Sequence, residues 1–190
     1  MTCDLRASPL PTCVSAASAS APTHAALRDL LIADGGRREI CDLVRESRLP
    51  RALIGPSSHP LQVIATLMAG ESIDTLHLVG HGRAGAMSLG GTFIDTATLL
   101  AERDTLASWP VRRIALWGCS VGAESEFPAT LARLTGATVI CADAALGRHA
   151  DRPRWSLNRC FDADGEQADE SFLDARFAAA GAFEASTLAI

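Results

Sequence analysis

Apolar and polar positions along this chain fall into alternating short blocks. Leu27 to Ala33 (LRDLLIA) is an apolar run closed by Asp34-Gly35-Gly36, which predicts a strand and a turn. Arg38 to Arg48 then places Ile40, Leu43, Val44 and Leu49 at helical spacing. Ala52 to Ile54 reads as a short strand ended by Gly55-Pro56. Ser57 or Ser58 is positioned to cap a helix over Leu61, Ile64, Ala65 and Met68, with Gly70 ending it. Ile73 to Val79 (IDTLHLV) is the third predicted strand. Met87 to Ile94, with Gly90-Gly91 in its middle, predicts a hairpin. Asp95 caps a helix to about Ser108. Val111 to Trp117 predicts the fourth strand, Glu124 to Leu134 a helix ended by Gly136, and Thr138 to Ala142 the fifth strand. A shorter strand at Arg154 to Asn158, an acidic loop from Phe161 to Ala168 and an Ala-rich helix near Asp169 to Ala180 complete the reading.

Strand and helix in repeated alternation imply parallel strands joined by crossovers. The apolar runs are nearly continuous, as strands buried on both faces require. The expected fold class is therefore α/β: a three-layer sandwich, mostly parallel sheet with helices on both faces. Residues 27–190 read as a single domain. Residues 1–26, rich in Ser, Ala and Pro, read as a disordered tail in preference to a cleaved export signal, because Asp4, Pro9 and Pro11 interrupt the pattern such a signal needs.

Composition narrows the function. The 190 residues carry a net charge of −5, which argues against a general nucleic-acid binder. No apolar run approaches the roughly 20 residues of a membrane-spanning helix. All 17 basic residues are Arg. The absence of Lys excludes a Walker phosphate loop and Schiff-base chemistry. None of the six Cys lie at Cys-x-x-Cys spacing, so a structural zinc site is not expected. The reading calls for no other metal and no cofactor. Unpaired cysteines fit a reducing cytosol.

In open parallel sheets, sites form at the carboxyl ends of strands. The third strand runs into Gly80-His81-Gly82 and the fourth into Gly118-Cys119-Ser120. On neighbouring strands His81 and Cys119 would share one edge. An imidazole there could take the thiol proton, and the thiolate could attack a carbonyl. The backbone N–H groups of Gly82 and Cys119 could hold the oxyanion. Cys41 and Cys141, within apolar patterns, read as core residues, and His77 as a packing residue in its strand. Gly80-x-Gly82-x-x-Gly85 matches the dinucleotide fingerprint, but no helix pattern follows it.

An apolar strand ending in His-Gly (LHLVGHG), followed by one ending in a small residue and Cys (IALWGCS), resembles the clan of caspase-like cysteine peptidases, which includes caspases, gingipains, clostripain and separase. With ATLARLTGATVICADAALG and the Trp155-Ser156-Leu157 segment, the pattern is similar to an uncharacterised bacterial domain found near the N-termini of large secreted or surface proteins. The resemblance implies a caspase-like fold, export as the alternative to the cytosolic location that the cysteines favour, and a cysteine endopeptidase acting on a protein or peptide substrate, with itself or one partner as candidates. His81 would be the general base and Cys119 the nucleophile. The alternative is a non-enzymatic binding or maturation module on the same fold. The related pockets lie beside the Cys, between loops that follow the first and fifth strands. Here those strands run into Asp34 and Asp143, which would favour a basic substrate residue. Equally, Asp34 could simply make its turn and Asp143 cap a loop. Trp117, where clostripain-like members often carry an acidic residue, would offer a flat apolar wall. The oligomeric state is open.

Overall fold

The computed structural model describes residues 28–164 other than 46, 58, 150, 151 and 163. The expected N-terminal tail and the Ala-rich helix lie outside the described residues. The described elements, in chain order, are β1 (Arg28–Asp34), α1 (Arg38–Val44), β2 (Arg51–Ile54), α2 (Pro60–Met68), β3 (Ile73–Val79), β4 (Gly82–Arg83), β5 (Ala86–Leu89), β6 (Thr92–Asp95), α3 (Thr96–Ala101), α4 (Arg103–Ala107) and β7 (Val111–Trp117). After a short 3-10 turn (Val121–Ala123) come α5 (Glu126–Thr135), β8 (Thr138–Cys141), β9 (Gly147–His149), β10 (Arg152–Arg154) and β11 (Arg159–Phe161).

Six strands form the main sheet in the order β11-β8-β7-β3-β1-β2. Five are parallel, and β11 pairs antiparallel with β8 at the edge. The chain leaves β1 in one direction, to β2, and then crosses to β3 on the other side. The switch point thus lies between β1 and β3, where open α/β sheets form their ligand crevice.

Apolar side chains pack on both faces of the sheet. One face buries Ile32, Leu76, Leu78, Ile114 and Leu116 against Ile64, Met68, Leu99, Leu106, Phe127 and Leu131 of α2 to α5. The other buries Leu31, Ala33, Val79, Ala115 and Trp117 against Ile40 and Val44 of α1 and against Leu146 and Leu157. Helices on both faces of a mostly parallel sheet make the three-layer α/β sandwich expected. Each fully buried Leu or Ile contributes about 1.5–3 kcal/mol from area removed from water. No described helix is long and apolar enough to cross a membrane.

Several local expectations change. Helix α2 has His59 at its N-cap without a side-chain cap, and Pro60 begins the helix instead. The Ser57 hydroxyl accepts the His59 N–H. Asp95 caps α3 as expected, accepting the Thr98 N–H at 2.9 Å, but Glu102 breaks the helix into α3 and α4. Residues 155–158 are not a strand. The Asn158 side chain bonds both the backbone and the carboxylate of Asp143, and only Arg159–Phe161 joins the sheet. Phe161, expected in an acidic loop, is fully buried in β11.

Candidate active site

The register of the central strands sets the geometry. Leu78 pairs with Leu116 and Val79 with Trp117, a constant offset of 38 residues. His81 and Cys119 differ by the same 38, each two residues past the last paired position of its strand. Side chains alternate across a sheet. His77 and Val79 therefore lie on the same face as Ala115 and Trp117, the face that α1 covers; Cys119 packs against that cluster and His81 bonds Glu39 of α1. The Gly80 N–H donates to the Trp117 carbonyl at 3.2 Å and extends the ladder one step towards the site.

Past the strands the two backbones touch. A Cβ on Gly82 would meet the Cys119 carbonyl oxygen at 2.5 Å and the Gly118 carbonyl carbon at 2.6 Å. A side chain at position 82 would force the turns apart; glycine lets them close. The β4–β5 pairing joins Gly82 to Met87, and the Ser88 N–H donates to the His81 carbonyl at 2.7 Å. In this antiparallel alternation Gly82 occupies a non-hydrogen-bonded position, so its N–H faces away from β5. Gly85 sits at φ +69° in the β4–β5 turn. The Gly-x-Gly-x-x-Gly run thus builds a hairpin, without the helix N-terminus that dinucleotide binding uses.

Cys119 begins the turn after β7. Ser120 follows with φ 56°, the only non-glycine residue of positive φ among the described residues. A left-handed conformation costs an L-residue roughly 1–2 kcal/mol. Three contacts hold it: the Ser120 N–H donates to the Ala144 carbonyl at 2.9 Å, the Gly122 N–H to the Ala142 carbonyl at 2.8 Å, and the Leu146 N–H to Cys119 Sγ at 3.3 Å. The thiol in turn lies 3.6 Å from the Leu146 carbonyl oxygen.

The His81 ring bonds Glu39. Its Nε2 lies 2.8 Å from Glu39 Oε1, with the side chains 34% and 48% exposed. The His81 hydrogen bond and the backbone N–H of Glu39 itself hold the Glu39 carboxyl below its ordinary range. The ring and the thiol are not hydrogen-bonded to each other here. Glu39 escaped the sequence reading because 42 residues separate it from His81. The available signal was positional: an acid in the first turn of the helix that follows β1, beside the switch point.

The acidic pocket does not form as expected. Asp34 is fully buried. Its Oδ1 accepts the N–H groups of Gly36 and Gly91, both at 3.0 Å, and its Oδ2 accepts the Ser88 hydroxyl at 2.6 Å. The carboxylate is consumed by the turn. Asp143 is half-buried and paired with Asn158. Trp117 is no open wall either: it is 3% exposed, and its Nε1–H donates to His77 Nδ1 at 3.0 Å. Cys141 is fully buried, and burial pushes its thiol up to about 12. Cys41, expected in the core, is half-buried, its thiol 3.8 Å from the Gly35 carbonyl oxygen.

No curated protein matches the sequence. One family does, over residues 34–177, a span that takes in the last residue of β1, all of α1 to β11, and the strand ends that carry His81 and Cys119. The chain therefore belongs to the family described as a domain of unknown function, DUF4347.

Proposed function

We propose that this domain is a caspase-like cysteine peptidase in which His81 and Cys119 hydrolyse a peptide bond. The observation that carries this reading is the shared 38-residue offset. It puts His81 and Cys119 each two residues past the last paired position of adjacent strands, where Gly82 and the Cys119 backbone approach closely. His81 takes the proton of the Cys119 thiol, and the thiolate attacks the scissile carbonyl carbon. The N–H groups of Gly82 and Cys119 donate to the oxyanion that forms. The intermediate collapses as the imidazolium gives its proton to the leaving amine, which leaves a thioester on Cys119. His81 then takes a proton from water, hydroxide adds to the thioester, and the acid and free thiol are released. Ring and thiol are not bonded in the resting site; catalytic hydrogen bonds of unliganded enzymes often tighten only when substrate binds.

Cys119→Ala and His81→Ala should each reduce hydrolysis of a verified protein substrate by about 10²–10⁴-fold or more. The double variant should lose little beyond either single one, since the pair acts as a unit. Full activity in either single variant overturns the dyad. The second reading is a binding or maturation module without turnover. It draws on the contacts of Cys119, whose sulfur is engaged by both backbone groups of Leu146. Failure of Cys119 to form a covalent adduct with any of a varied set of peptide chloromethyl ketones would favour that module.

A further inference from the structure

We propose that Glu39 is the positioning residue of this site, holding His81 in the tautomer whose bare Nδ1 is free to receive the Cys119 proton. The inference rests on the His81–Cys119 reading and adds a third member to it.

An ionised carboxylate only accepts hydrogen bonds. The ring nitrogen 2.8 Å from Glu39 Oε1 must therefore carry the hydrogen, and that nitrogen is Nε2. In the neutral ring the lone pair is then on Nδ1, the atom left to receive the thiol proton. Once the proton arrives, both nitrogens carry hydrogen and the ring is cationic. The same carboxylate then faces an imidazolium, a charge-assisted pair. Solvent reaches both side chains, so the charge effect is screened and the orienting effect dominates.

The backbone makes the pairing reproducible. Ile40 and Val44 anchor α1 in the core and fix where Glu39 starts. The neighbouring Arg38 guanidinium lies toward Asp42, one turn on, at 3.9 Å. Buried Asp34 joins the two halves. It accepts the Gly36 N–H on the approach to α1 and the Ser88 hydroxyl on β5, while the Ser88 backbone N–H holds the His81 carbonyl. Glu39 and His81 thus descend from one hydrogen-bonded hub.

The test uses the full chain and needs no substrate. Long-range proton–nitrogen NMR reads the His81 tautomer, and iodoacetamide alkylation at pH 7 reads the Cys119 thiol, in wild type, Glu39→Gln, Glu39→Ala and His81→Ala. Wild type and Glu39→Gln, whose amide oxygen still accepts, should show the Nε2–H tautomer. Glu39→Ala should show a mixture, and its Cys119 should alkylate about 2- to 5-fold more slowly. A wild-type tautomer in Glu39→Ala overturns the role of Glu39, even where His81→Ala slows alkylation. Wild-type alkylation in His81→Ala overturns the dyad itself, whatever the tautomer. Glu39 is half-exposed, so neither substitution removes core packing.

Discussion

Gly82 and Cys119 lie so close that a single methyl group cannot fit between them: a Cβ on Gly82 would stand 2.5 Å from the Cys119 carbonyl oxygen. The obstacle is backbone, which cannot swing aside as a side chain can. Gly82→Ala should therefore cost about 1–3 kcal/mol, the range of an overpacked core. Urea denaturation with an unchanged m-value checks this. A midpoint within error of wild type would mean that the turns are not in contact.

The same closeness explains what the sequence could disclose. Strands β1, β3 and β7 are buried on both faces, so their apolar runs are continuous and nearly unmistakable, and Gly-His-Gly and Gly-Cys-Ser punctuate two of them. That the ends of β3 and β7 meet was legible because a parallel register converts equal sequence steps into neighbouring strand ends. Glu39 was not, because a Glu in a first helical turn usually serves only the helix dipole. The fate of Asp34 was equally hidden. An Asp before Gly-Gly reads the same whether its carboxylate faces a substrate or a hairpin 54 residues away. Residues 155–158 misled by alternation: Trp155 and Leu157 are apolar at strand spacing, yet Asn158 spends its side chain on Asp143 and ends the run.

Asp34 should be the most sensitive buried polar position of the carboxyl edge. Asp34→Ala leaves the N–H groups of Gly36 and Gly91 and the Ser88 hydroxyl without their acceptor. An unsatisfied buried donor costs about 1–3 kcal/mol, so a loss on the order of 3 kcal/mol or more is expected. Asp34→Asn keeps one oxygen for the two N–H groups and should lose less. Half-buried Asp143, changed to Asn, should shift stability by under about 1 kcal/mol. Equal effects at positions 34 and 143 in denaturant titrations would mean that the Asp34 carboxylate does not hold the turn.

Stability should fall as pH drops from about 6.5 towards 4, and His77 should cause much of the fall. Burial, with a smaller push from Arg113, lowers its pKa from 6.5 to about 4, against a partial opposing pull from Asp29. Its Nδ1 also accepts the Trp117 Nε1–H, so a proton there would break a buried hydrogen bond. The folded pKa lies below the unfolded one. Between the two, the unfolded chain binds the extra proton, and stability rises with pH. The contribution is complete above about pH 6.5, declines by roughly 1.4 kcal/mol per unit below it, and is lost once pH passes the folded value near 4. The whole window is worth at most about 3 kcal/mol. Carboxylates also titrate at its lower end, so the comparison must be with a variant that cannot protonate. His77→Gln retains an acceptor for Trp117 and loses the titration. Urea unfolding at pH 4.5, 5.5, 6.5 and 7.5 should give wild type the steeper slope, with the two curves drawing together as pH falls. Parallel curves would show that His77 keeps an ordinary pKa in the fold.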